Sequence, residues 1–206
     1  MPKSVTLAKK LMFSFFNKKP KCVRLDDKVF IKRQEADVAL VVDLNNFKLE
    51  GKTVVVLYFF EDTLKRLQSL QPSPECQFYS ADKVIRDLSI RSGLKSKSNL
   101  VLVFAEHHPS ATRENAVLAE IENMYESEKP TLGFYMALEE PMMKPFGVDR
   151  IISLMKQMGM KEGEAITNSM VTKSIANMQE KIAKRCTTDL IAHSQEEWMK
   201  LNFSNG

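Results

Sequence analysis

The tetrapeptide EHHP, residues 106–109, sets two imidazoles beside a carboxylate, the donor types that hold divalent metals. Neighbouring side chains at a strand end point to opposite sides, so one metal does not take both histidines. No further histidine or cysteine lies nearby in sequence, and the stretch reads as a strand-end loop with no metal. EGKT, residues 50–53, contains the Gly-Lys-Thr of a phosphate loop. That loop needs Gly-x-x-x-x-Gly-Lys-Thr after a strand and at the opening of a helix, where backbone N–H groups cradle phosphate. Here Asn46 stands at the first glycine, and the β-type run follows Gly51 instead of preceding it. The order is reversed, and a loop-to-strand turn is the better account. Cys22, Cys76 and Cys186 are far apart with no paired spacing, which argues against a disulfide framework or zinc knuckle and fits a reducing cytoplasm. No Gly-x-Ser-x-Gly, Cys/His pair or carboxylate dyad supports a hydrolase.

Met142, Met143, Met155, Met158, Met160, Met170 and Met178 enrich one region in thioethers. Flexible methionines line adaptable grooves for apolar peptides, and they equally fill irregular cores; the second use is the commoner one.

The net charge of +4 is unevenly distributed. Of the 30 Lys/Arg and 26 Asp/Glu, residues 1–33 hold ten and two, leaving 20 against 24 for the rest. The basicity belongs to an N-terminal arm, VTLAKKLMFSFFNKKPK, in which Leu7, Leu11, Met12 and Phe15 fall near one helical face. Lys9, Lys10, Lys18 and Lys19 with Phe13, Phe15 and Phe16 suit a peripheral contact with anionic lipid. A helix packed on the body with its lysines in water has the same pattern. No small-residue cleavage site follows to make the arm a secretory signal. Aromatic residues do not interleave with basic ones beyond the arm, so nucleic acid is not an expected partner. The longest apolar run, residues 54–60, is strand-sized.

These residues need elements to position them. RQEADVALVVDLNNF has a helical pattern ending at two asparagines, and KTVVVLYFF suits a strand buried on both faces. Asp62 is placed to cap the next helix, with Leu64, Leu67 and Leu70 on its inner side. A turn and short strand in PSPECQFYS, a helix in DKVIRDLSI and a loop at SGLKSKS follow. NLVLVFA is a second buried strand, TRENAVLAEIENMYES a helix and LGFYMAL a last strand. Strands alternating with helices imply a parallel sheet covered on both faces. After Pro141, DRIISLMKQMGM, NSMVTKSIANMQEKIAKRC and TDLIAHSQEEWMKLNF all read as helix.

Residues 134–182 carry an ordered set of motifs: Phe134 and Tyr135 with Leu138, Glu139 and Glu140; Phe146, Gly147, Asp149 and Arg150; Met158, Gly159, Gly163 and Glu164; Met170, Val171, Lys173 and Ile175. This stretch resembles SecA, the ATP-driven motor of bacterial protein export, where its second motor domain hands over to the long scaffold helix. Weaker likeness extends upstream to about residue 17 and includes Glu106, His108, Ser110, Glu114 and Asn115, which match a track beside the family's nucleotide-sensing arginines. The resemblance implies an α/β fold, a RecA-like parallel sheet flanked by helices as in the C-terminal domains of P-loop helicases. It implies three parts: the arm at 1–16, a degenerate RecA-like domain at 17–148, and a helical extension at 149–206 resembling the start of the scaffold.

The departures bear on function. Where the family has an arginine-rich ATPase segment, this chain has AVLAEIENMY, with Leu118, Glu120 and Asn123 in place of arginines. A glutamate there repels phosphate instead of stabilising the transferring group. The Ala-Thr-Asn-Met-Ala-Gly-Arg-Gly-Thr-Asp strand is missing, and the phosphate-loop domain has no counterpart. The expectation is therefore a non-catalytic, cytoplasmic accessory or binding protein connected with protein translocation, without ATP as cofactor. Its expected partners are full-length SecA, a translocon component or a secreted client. Two alternatives stay open: half of a split ATPase whose partner chain supplies the phosphate loop, and a peripheral adaptor at the inner membrane using the basic arm.

Overall fold

Runs of β-branched and aromatic residues become the strands of one parallel sheet in the computed structural model. It describes residues 22–203 except 71, 73–74, 126–129, 158, 160, 162, 168 and 187. The basic arm with Lys9, Lys10, Phe13, Phe15, Phe16, Lys18 and Lys19, and also Met158, therefore lie outside the described residues. In chain order the elements are β1 (Val23–Arg24), β2 (Lys28–Phe30), α1 (Arg33–Leu49), β3 (Thr53–Tyr58), α2 (Glu61–Ser69) and β4 (Gln77–Ser80). Then come α3 (Ala81–Arg86), α4 (Leu88–Lys95), β5 (Leu100–Phe104), α5 (Ala111–Met124) and β6 (Thr131–Ala137). A 3-10 turn at Lys144–Phe146 leads into α6 (Val148–Gln157), α7 (Ser169–Ala183) and α8 (Gln195–Asn202).

The strand order is β1-β6-β5-β3-β4, with β2 also on β6, and every pairing between strands is parallel. Parallel strands are buried on both faces, which is why the central ones read as continuous apolar runs. Alternate residues feed two cores. Val55, Leu57, Leu102, Phe104, Phe134 and Met136 face α3, α4, α5 and the C-terminal helices. Val54, Val56, Val101, Val103 and Tyr135 face α1 and α2. The expected α/β architecture, a parallel sheet flanked by helices and consistent with a RecA-like fold, is what the chain adopts.

The C-terminal helices share the first core. Ile175, Met178 and Ile182 of α7 and Trp198 and Met199 of α8 are buried in it, and each contributes about 1.5–3 kcal/mol by burial. Met142, Met143 and Met178 are core-filling, whereas Met170 is exposed. Among the described residues no helix is long and apolar enough to cross a membrane.

Several local expectations are corrected. α1 runs past Asn45 and Asn46 to Leu49, because Phe47, beyond the polar pair, still packs half-buried against the core that holds Ala36, Leu40 and Leu44. DKVIRDLSI is two helices, broken where the Asp87 side chain accepts N–H bonds from Ser89 and Ile90 and starts α4, which continues through Ser92, Gly93 and Leu94. Residues 188–194 are not helical; of that stretch only α8 is. β1 and β2 had no sequence signal, being two and three residues long, too short for alternation to register. Gly159 and Gly163, at φ +87° and +79°, turn the chain between α6 and α7. An L side chain there costs about 1 kcal/mol, so the two glycines of the motif have a backbone role. They let residues 165–167 return along β2, where Ile166 and Val29 exchange backbone bonds of 3.1 and 2.8 Å.

Candidate functional site

β3 and β5 are neighbours, but α2 leaves β3 on one face of the sheet and α5 leaves β5 on the other. Divergence of this kind opens a crevice at the carboxyl ends of the two strands, the usual ligand position in open α/β sheets. A cavity of about 260 Å³ sits there, lined in part by Arg33, Thr63, Arg66, Glu106, Glu140 and Gln195. Gly51 lies at the opposite, amino end of β3, in the turn after α1.

Glu106 fills the start of α2. Its Oε1 accepts the N–H groups of Phe59 at 2.9 Å and Phe60 at 3.2 Å, and its Oε2 accepts the Thr63 hydroxyl at 2.6 Å. Phe60 is the N-cap residue of α2, and its side chain makes no cap bond. Asp62, expected as the cap, lies inside the first turn instead, where its side chain pairs with Lys65. A carboxylate 46 residues away in sequence thus accepts the N-cap N–H, while the Asp62 N–H in the first turn donates to the His193 carbonyl at 3.1 Å. Burial raises the Glu106 pKa, against the pull of the Thr63 and Phe59 bonds and of Arg33 and Arg66.

The two guanidinium groups lining the cavity already have carboxylate partners. Arg33 pairs with Glu140 and Arg66 with Asp37. The Arg33 backbone N–H also donates to Glu139 at 2.6 Å. Burial pushes the Arg33 pKa down to about 10, so it stays charged at neutral pH. Glu140 is held in turn by the Ala137 N–H at 2.8 Å and the Gln195 amide at 3.0 Å.

Beside the crevice lies a second buried cluster. His107 Nδ1 contacts Glu114 at 3.0 Å and its Nε2 faces Asp27 Oδ2 at 3.5 Å, a distance of an ion pair rather than a good hydrogen bond. The ring stacks on Phe134 with centroids 4.4 Å apart. Burial lowers the His107 pKa, but Glu114 and Asp27 outweigh it and raise the value to about 9. His108 sits among Phe59, Phe60 and Trp198, with centroids 5.1 to 5.3 Å away, and its Nδ1 accepts the Ser110 N–H at 2.9 Å. Burial, then the charge of Arg113, pushes it down to about 3. The side chains diverge as the sequence pattern predicts. Gln179 of α7 ties the cluster to the helical extension, donating to the His108 carbonyl at 2.8 Å and to Glu114 at 3.1 Å.

Of the residues expected to form a vestigial sensing region, Glu106, His108, Ser110 and Glu114 converge here, with the Ser110 hydroxyl capping α5. Asn115 is exposed on α5 and is not brought in. Leu118 packs against the core, Glu120 pairs with Arg91, and Asn123 is exposed. The motif residues of the handover do not converge on one pocket. Ile175 is core, Phe146 and Val171 are half-buried, and Gly147, Asp149, Arg150, Glu164, Met170 and Lys173 are exposed. Sequence reasoning missed Asp27, Arg33, Gln179 and Gln195. Gln179 alone had a signal, a polar residue within the inner stripe Ile175, Met178 and Ile182 of a helix.

No family model matches the chain. It is 34% identical over 125 residues, 61% of its length, to protein translocase subunit SecA of Acidithiobacillus ferrooxidans. Against the same subunit of Maridesulfovibrio salexigens it is 34% identical over 96 residues, 47% of the chain, and against that of Chlorobium phaeovibrioides 30% over 99 residues, 48% of the chain. The chain is SecA-like over those spans. The matched stretches cover 12%, 11% and 10% of these curated relatives, so the chain spans a small part of their length.

Proposed function

We propose that this SecA-like chain is a non-catalytic, partner-binding module of protein translocation, working in the cytoplasm or peripherally at the inner membrane. The observation that carries the reading is that backbone donors at the entry to α2 are already taken, those of Phe59 and Phe60 by Glu106 and that of Asp62 by the His193 carbonyl. A helix N-terminus at a switch point is a ready anion site, and here the anion is the chain's own carboxylate. The neighbouring cations support the same reading, since Arg33 and Arg66 are spent on Glu140 and Asp37. Bringing phosphate in would set its charge beside Asp62, Glu106, Glu140 and Glu196 and would break ion pairs whose partners are buried. The positions where the family carries arginines add no guanidinium, since they are Leu118, Glu120 and Asn123.

The partner is full-length SecA, a translocon component or a secreted client, engaged without nucleotide. A fluorescent ATP analogue and a phosphate-release assay, applied to the chain alone and with full-length SecA from the same cell, test the reading. The expected result is no analogue binding and no added turnover, together with co-purification of the chain with one of those three partners. Turnover that depends on this chain would establish the split-motor alternative. Sedimentation with anionic liposomes, with and without residues 1–16, measures the contribution of the basic arm.

A further inference from the structure

Parallel strands are usually reached by a helix that runs back along a face of the sheet, as α1 does before β3, α4 before β5 and α5 before β6. What precedes β1 is the basic arm, residues 1–21, which lies outside the described residues. β1 pairs with the start of β6 and β2 with its end, so the arm joins the sheet at its amino end. α1 runs against the strands and finishes at that same end with Phe47 and Leu49.

The edge that the arm approaches is open on its α1 side. Between α1 and β2 runs an apolar groove of about 470 Å³, with Phe30, Val38, Ala39, Val42 and Ala165 among its walls. Val38 and Val42, one helical turn apart, are 59% and 51% exposed. Lys28 borders both this groove and a smaller hollow nearer β1 that Leu25 and Phe47 line. The open surface thus continues toward the point where the arm enters. Lys28 and Asp43 in the groove already pair with each other at 2.5 Å, so an apolar occupant strands neither charge. Glu35 and Asp26 on the walls have no ion pair among the described residues and suit a basic occupant.

The arm has the matching face. On a helix Leu7, Ala8, Leu11, Met12 and Phe15 fall within an arc of about 140°, with Lys9 and Lys10 outside it. Leu7 to Phe15 covers about 12 Å of such a helix, against about 13.5 Å from Val38 to Phe47 along α1. From Phe15 to Cys22 an extended chain reaches up to about 24 Å, ample for the step from α1 to β1.

We propose that residues 5–16 dock as a helix in this groove, parallel to α1, with Leu7, Leu11 and Phe15 against Val38, Val42 and Phe47 and the lysines toward solvent. Docked in cis, the arm completes the cover of the sheet at its β1 edge. It also turns away from lipid the apolar face that a membrane contact uses. The docking is a property of this chain alone and does not depend on the partner-binding reading.

Hydrogen exchange and methyl NMR on the intact protein, without lipid, are the test. The amides of residues 7–15 are expected to exchange at least ~10-fold more slowly than in a synthetic peptide copying residues 1–21. Val38→Glu together with Val42→Glu is expected to abolish that protection, whereas Leu88→Glu, at an exposed leucine of α4, preserves it. Methyl NOEs from Leu7 and Leu11 to Val38 and Val42 in the unsubstituted protein read the contact directly, whatever the substitutions do to the fold. Arm amides that exchange as fast as the peptide overturn the proposal, as does protection that appears only with anionic vesicles or survives both glutamates. The same NOEs between labelled and unlabelled chains in a mixed sample also overturn it, since a second copy then supplies the helix in the groove.

Discussion

His107 and His108 are adjacent, both buried, and hold opposite charge states at neutral pH: the first is an imidazolium between two carboxylates, the second a neutral ring among aromatics. Two residues of one type, one peptide bond apart, are driven in opposite directions by what other elements bring to them. Asp27 comes from the break between β1 and β2, Glu114 from α5, and Trp198 from α8.

This arrangement makes stability depend on pH at both ends. His107 has a folded pKa of about 9, above the ordinary 6.5, so its contribution is complete below about 6.5 and is lost as pH rises through 9. His108, at about 3, contributes fully above about 6.5 and loses that contribution as pH falls toward 3. Melting temperatures measured from pH 4 to 10 are expected to fall on both sides of neutrality. His107→Gln is expected to flatten the alkaline limb while lowering stability at pH 7 by on the order of 2 kcal/mol. An alkaline limb unchanged by that substitution means that His107 does not carry the proton.

Glu106, in the loop after β5, accepts the N-cap N–H of α2. Glu106→Ala leaves the Phe59 and Phe60 N–H groups and the Thr63 hydroxyl without their acceptor, and is expected to cost about 2–4 kcal/mol in urea unfolding. Glu106→Gln keeps one oxygen and is expected to cost about half as much. Asp62→Ala, at the position the sequence marks as a cap, is expected to stay within about 0.5 kcal/mol.

Gln179 and Glu114 are predicted to be energetically coupled. Each single alanine substitution removes partners from a buried polar cluster, and the double-mutant cycle is expected to show an interaction of about 1 kcal/mol or more. Simple additivity would mean that α7 packs on the sheet through Ile175, Met178 and Ile182 alone.

Gly163 is exposed at φ +79° with nothing within 4 Å of an added Cβ. Gly163→Ala is therefore expected to cost about 1 kcal/mol from the backbone alone, and Gly163→Asn less, since asparagine tolerates the left-handed region. A cost well above 2 kcal/mol for alanine would indicate a steric neighbour at this position.

Chemical pattern along the chain determined a good deal. Val54 to Leu57 and Leu100 to Phe104 are short, valine-rich apolar runs, and that length and β-branching mark strands buried on both faces, so the parallel sheet was legible. The ordered motifs from Phe134 to Ile175 carry the SecA likeness in the sequence itself. The course of residues 188–203, the two short strands β1 and β2 and the charge states of His107 and His108 were decided by tertiary structure alone. A cap 46 residues distant in Glu106 and a carboxylate pair around His107 come from separate elements. Local sequence encodes periodicity and propensity, whereas desolvation and Coulomb terms depend on which groups the folded chain places within a few ångströms of one another.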